Sequence, residues 1–132
     1  MFLFIDTTPP KGFDLTILDS RGKKNFHLVQ KSFDLPSEKI LPKIKRLLKS
    51  VHVSPSELGG IGVGTAGSFT ALRTGVTIAN TLGYVFNIPV VLTSRPGFNR
   101  ALQEMKKAKT FKPIQPIYDR APNITQSKKK YL

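Results

Sequence analysis

The chain has 132 residues, 39% of them hydrophobic, with no cysteine and a formal net charge of +13. That length buries one core rather than two, and the absence of cysteine excludes disulfides, thiolate metal sites and cysteine nucleophiles. The charge is uneven: residues 99–132 carry nine Lys/Arg against two acids, half of the net charge in about a quarter of the chain.

Taken in chain order, Phe2–Asp6 is a continuous apolar run, as expected for a strand at the centre of a sheet. It is too short for the apolar region of a secretory signal, and no transmembrane span is expected, so the expected location is the cytoplasm. Thr8–Gly12 is a turn, and Phe13–Asp19 and Lys24–Phe33 alternate as strands around Ser20-Arg21-Gly22, giving a three-strand meander. Ser37 to Val51 reads as a helix with one apolar face, formed by Ile40, Leu41, Ile44, Leu47, Leu48 and Val51. Pro42 falls early in it. Its other face is basic, with Lys39, Lys43, Lys45, Arg46 and Lys49.

Residues 60–75 form a short strand, a glycine-rich turn and a helix start, with Ser68 as the expected N-cap. Gly62, Gly64 and Gly67 satisfy G-x-G-x-x-G, the pattern of a phosphate-cradling loop. The acid that a dinucleotide site needs about 20 residues on is missing, since no Asp or Glu lies between Glu57 and Glu104. No lysine follows the glycines, so this is not a Walker loop. The helix runs to about Phe86 and is ended by Asn87-Ile88-Pro89. Ala71, Gly75, Ala79 and Gly83 recur every four residues along it, a ridge with little side chain. Two readings of the ridge stand side by side: it admits a partner helix, or it seats the helix on its own sheet. Pro89–Ser94 is a fifth strand, and a third helix runs to about Lys109.

Catalytic groupings are scarce. His27 and His52 lack ligand spacing, so no metal site is expected, and no cofactor is expected either. No nucleophile–base pair is present for hydrolysis. Arg73 is a candidate anion contact, or an anchor of the glycine-rich corner.

The block Gly67-Ser68-Phe69-Thr70-Ala71-Leu72-Arg73-Thr74-Gly75, followed by Ile88-Pro89-Val90-Val91 and Ser94, resembles the signature of the TsaB (YeaZ) family. Phe4-Ile5-Asp6-Thr7-Thr8, the segment Ser37 to Pro42 with Leu47-Leu48, and Pro116 to Thr125 are similar to its opening, its first helix and its closing motif. The resemblance implies an α/β fold: a single ribonuclease-H-like subdomain of the actin-like ATPase superfamily, with a mixed five-stranded sheet in the order βββαβαβα. It spans residues 1–112, with a basic tail over 113–132, and most of the family's second subdomain is missing.

The resemblance further implies a non-catalytic subunit for threonylcarbamoyladenosine synthesis in tRNA, paired with the catalytic TsaD subunit or with itself, with a TsaE-like ATPase as a further partner. The family's helical interface maps to Ile40, Ile44, Leu47 and Leu48 on the first helix, and to Ala71, Leu72, Gly75, Val76, Ala79 and Gly83 on the second. Two other functions stay open. The charge suits a small domain that binds tRNA or other nucleic acid. Asp6, where actin-like ATPases place an acid near metal-bound phosphates, would suit an ATP-using phosphotransferase; it equally suits a turn cap.

Overall fold

The computed structural model describes residues 1–7, 12–31, 37–65, 69–93 and 98–115. Five strands, β1 (Phe2–Asp6), β2 (Gly12–Leu18), β3 (Lys24–Lys31), β4 (Gly60–Gly64) and β5 (Val90–Thr93), form one mixed sheet in the spatial order β3-β2-β1-β4-β5. β1 pairs antiparallel with β2 and parallel with β4; β2–β3 is antiparallel and β4–β5 parallel. Among the described residues three helices complete the fold: α1 (Ser37–Ser50), α2 (Phe69–Phe86) and α3 (Phe98–Ala108). A single 3-10 turn, Pro55–Glu57, precedes β4.

Side chains alternate across a strand, and here both faces of the central strands are buried. Leu3, Ile5, Phe13, Leu15, Ile17, Ile61 and Val63 join α1 and α2 in the larger core. Phe2, Phe4 and Leu18 meet Ala101, Leu102 and Met105 of α3 in a smaller core on the other face. Leu18, which breaks the alternation expected of a half-exposed strand, is buried for this reason.

The glycines of β4 have a packing role. Gly60, Gly62 and Gly64 fall on the α3 face. A Cβ at Gly60 would strike the Met105 side chain, and one at Gly62 would lie 2.5 Å from the Phe4 ring. A Cβ at Gly64 would lie 2.9 Å from an Asp6 carboxylate oxygen. The space that suggested an open anion cradle at Gly62 and Gly64 is filled by the chain's own side chains. Gly67 and the Ser68 cap lie outside the described residues.

Two helices end in the same way. His52 and Asn87 adopt left-handed backbone, with φ of 57° and 52°. The next amides, Val53 N–H and Ile88 N–H, reach back to the carbonyls of Leu48 and Gly83 at 3.0 Å each. This is the Schellman arrangement, which satisfies carbonyls that the helix leaves open. Asn tolerates the left-handed region better than most residues, so Asn87 stops α2 one residue before the Ile88-Pro89 pair. Among the described residues no helix is long and apolar enough to cross a membrane.

Two exposed carboxylates organise turns. Asp19 Oδ1 accepts from the backbone N–H groups of Arg21 and Lys23, both at 2.9 Å. Glu57 accepts from the Ser54 N–H at 2.9 Å and from its hydroxyl at 2.8 Å. The Lys23 amide holds the Asp19 carboxyl below its ordinary value, and the Ser54 amide does the same for Glu57.

A carboxyl depressed in the fold adds stability above its unfolded pKa, and that stability is lost as pH falls through the folded value. The Ser54–Glu57 and Asp19–Lys23 turns are therefore expected to loosen on acidification through the carboxylate range, read as faster exchange of the Ser54, Arg21 and Lys23 amides. In Glu57→Gln the Ser54 amide loses that acid response. Gly62→Val is expected to cost about 1–3 kcal/mol by overpacking against Phe4, measured by denaturant unfolding.

Candidate functional site

The helix pair on the larger core face is where the sequence placed a partner surface. The structure seats most of those residues inward. Ile40, Ile44, Leu47 and Leu48 of α1, and Leu72, Val76 and Ala79 of α2, are all buried in the core beneath the helices. Gly75 also faces the sheet: its Cβ would make ordinary contacts with Val63, Thr7 and Ile5 at 3.4–3.8 Å. Gly83 is tighter, with Val90 at 2.5 Å and Phe111 at 2.6 Å from the position of a Cβ. From Gly75 to Gly83 the small-residue ridge thus serves close packing of α2 on its own strands. The side chain of Ala71 lies outside the described set.

The exposed surface of the same two helices lies beside these residues. Between α1 and α2 runs a groove of about 550 Å³, lined by Leu41, Pro42 and Lys45 on one side and Thr77, Ile78, Thr81 and Leu82 on the other. Its walls are apolar apart from Lys45 and the two threonines. Leu41 is 37% exposed, and near the end of α2 Tyr84 and Val85 are 76% and 61% exposed. Arg73, Thr77, Thr81 and Val85, four residues apart in turn, form one exposed stripe along α2. Sequence periodicity missed this groove because Leu41 reads as part of the apolar face of α1, while Thr77 and Thr81 carry no apolar signal. The spacing of Arg73, Thr77 and Thr81 was the available clue.

Arg73 stands exposed in the early turns of α2. Residues 66–68, the corner it was expected to serve, are not among those described. Asp6 and Asp14 are directly paired in register across β1 and β2, so both carboxylates stand on one face at the end of β1. Among the described residues no group of three or more His, Asp or Glu side chains could hold a metal ion.

The segment after α3 is fastened across α2. The Asn80 amide donates to the Ile114 carbonyl at 2.8 Å and accepts from the Ile114 N–H at 3.0 Å. The Phe111 N–H donates to Asn87 Oδ1 at 3.3 Å, and the Phe111 and Ile114 side chains pack on the larger core. Tyr84 meets the Phe111 ring edge-on, with centroids 6.2 Å apart. Residues 111–115 are therefore attached to the domain, across the boundary expected at 112. Residues 116–132, which include the similar closing motif, lie outside the described set.

The fold has known counterparts. A family model described as "TsaD: tRNA N6-adenosine threonylcarbamoyltransferase" matches residues 35–95, just under half of the chain. Two solved structures are similar over 70% of this chain, with TM-scores of 0.63 and 23% identity. One is YeaZ from Pseudomonas aeruginosa, and the other is an uncharacterised protein with similarity to peptidase YeaZ from the same organism. The chain spans 43% and 42% of the lengths of those two structures. No curated protein matches. The TsaB (YeaZ) resemblance of the sequence is thus matched by the fold.

Asn80→Ala removes both bonds to Ile114, each worth about 1 kcal/mol. The expected result is faster hydrogen exchange and earlier proteolytic cleavage over residues 110–115, with the sheet amides unchanged. Unchanged exchange at Ile114 would show that Phe111 alone holds the segment.

Proposed function

We propose that this chain is a TsaB-like subunit of the machinery that makes threonylcarbamoyladenosine in tRNA, and that it acts without catalysing the transfer itself. The observation that carries this reading is the groove between α1 and α2, on a chain whose fold matches YeaZ. Three of the five large apolar side chains exposed among the described residues, Leu41, Tyr84 and Val85, lie on this helix pair. Leu41 lines the groove itself, together with Ile78 and Leu82, and an exposed apolar groove of this kind marks an interaction surface. The partner is a TsaD-like catalytic subunit, whose family model also matches residues 35–95. A TsaE-like ATPase and tRNA complete the assembly, in the cytoplasm. The fold class in this reading is the ribonuclease-H-like subdomain of the actin-like ATPase superfamily.

In this reading the division of labour within each helix is physical. Ile44, Leu48, Leu72 and Val76 hold the helices to the sheet; Leu41, Thr77, Thr81 and Val85 meet the partner. The interface lies one helical step away from the buried residues that the family resemblance implied.

A second reading, tRNA binding by a basic surface, draws on α3 and the segment beyond it. Arg100, Lys106 and Lys107 are exposed on α3, on the sheet face opposite the groove, and Lys109 and Lys112 are exposed on the segment that runs from there to α2. Lys106 also ties α3 to the β2–β3 turn, through a 2.6 Å bond to the Ser20 carbonyl.

The experiment is light scattering after size-exclusion chromatography, on the chain mixed with the TsaD homologue of the same organism. Thr77→Trp and Thr81→Trp fill the groove from exposed positions, so each is expected to weaken the complex tenfold or more (about 1.4 kcal/mol) with an unchanged melting temperature. Wild-type binding by both variants overturns the groove assignment. Binding of tRNA that weakens steeply with salt, without any protein complex, favours the second reading.

A further inference from the structure

We infer that the corner where the end of α2 meets the segment after α3 is a stacking site for an unpaired base of a nucleic acid, with Tyr84 as the platform and Lys109 and Lys112 on the phosphates beside it. The inference rests on the reading of the basic surface as a nucleic-acid surface, and it makes no use of the groove.

Tyr84 is the most exposed large apolar or aromatic side chain among the described residues, at 76%, and it does not line the groove. Its ring is nonetheless held. Phe111 meets it edge-on, with centroids 6.2 Å apart. Phe111 is set in turn by the bond from its N–H to Asn87 Oδ1 and by its packing on the larger core. A ring gripped by one neighbour and open over most of its surface presents a π-face to solvent. Every base has a π-face of its own, so stacking on such a ring is tolerant of sequence and supplies much of the affinity for single strands.

The phosphates need cations close by. Lys112 follows Phe111 directly, Lys109 precedes it by two residues, and both are exposed. Lys112 stands between two fastened residues, because Asn80 holds both the N–H and the carbonyl of Ile114. Its backbone is therefore fixed near the Tyr84 ring before any ligand arrives. Lys107, exposed in the last turn of α3, extends the positive field. Residues 58–115 hold seven Lys/Arg and one acid, Glu104, so little carboxylate competes for these cations. An acidic peptide would satisfy the charge alone. A nucleic acid repeats a flat stacking group with every charge, and that is the combination this corner offers to meet.

The test follows fluorescence anisotropy of two labelled RNA probes of about ten nucleotides, one single-stranded and one duplex, across a salt series. The proteins are the full chain, Tyr84→Phe, Tyr84→Leu and Lys109→Gln/Lys112→Gln. The single strand is expected to bind with an affinity that falls as salt rises. Tyr84→Leu keeps an apolar contact for Phe111 but has no π-face, and should weaken the single strand roughly tenfold with the salt slope unchanged. Tyr84→Phe should bind as the wild type does. The duplex, whose bases are already stacked, should be indifferent to both Tyr84 variants. The lysine pair should flatten the slope of log affinity against log salt by about 0.7 for each lysine.

Salt-sensitive binding that ignores Tyr84→Leu would overturn the stacking inference and leave the basic-surface reading in place. Equal weakening of single strand and duplex by Tyr84→Leu would do the same, since it would show the ring only positioning the lysines. No binding of either probe at low salt would remove the basic-surface reading, and this inference with it. Polyglutamate that displaces the single strand, and is itself bound less well by Tyr84→Leu, would make an acidic protein segment the occupant and overturn the inference.

Discussion

The Phe4 ring and the Met105 side chain lie across β4, in the volume that Cβ atoms at Gly62 and Gly60 would claim. That contact sets the thickness of the molecule. A strand with side chains on one face only lets α3 and the β1 phenylalanines settle close to its backbone, and Phe98 extends the layer by packing its ring at a 53° tilt against Phe4, with centroids 4.6 Å apart. Interiors are packed to crystal density, so β4 cannot regain side chains on that face unless α3 moves outward. The other face of β4, Ile61 and Val63, then carries the central contact with the remaining two helices.

The helix pair is bound by the same logic from the opposite side. α2 reaches β1, β4 and β5 because Gly75, Ala79 and Gly83 present almost nothing between its axis and the strands. α1 uses large residues instead, Ile40, Ile44, Leu47 and Leu48, in the same core. Two helices that approach one sheet with side chains of different bulk leave a channel between them, and there Leu41 and Ile78 remain in part uncovered. The groove is thus a by-product of core packing.

Much of the architecture was legible in the residues. The apolar run at Phe2–Ile5 and the alternation around Arg21-Gly22 gave β1 and the hairpin, and helical spacing gave α1 and α2 to within a residue or two. The glycines of β4 were ambiguous in the sequence, because a backbone left bare for a phosphate and one left bare for a phenylalanine look alike; Phe4 is nearly sixty residues away in the chain. The same limit applied to the ridge at Gly75 and Gly83. Periodicity shows that a helix has a smooth side but not which way it turns, and the strands beneath α2 decide that. Leu41 was grouped with the buried face of α1, where 100° per residue places it only at the margin.

The small residues of α2 also act as a key in a slot. A helix with one smooth edge fits closely against a sheet in a single rotational setting; turning it by one residue swings a Thr or Ile into the strands and lifts a glycine away. The angle at which Arg73, Thr77, Thr81 and Val85 point outward is therefore fixed from beneath, by residues that never reach the surface. Drift in the buried ridge would re-aim the outer stripe without altering any residue on it, so the direction in which this face points is inherited from the interior.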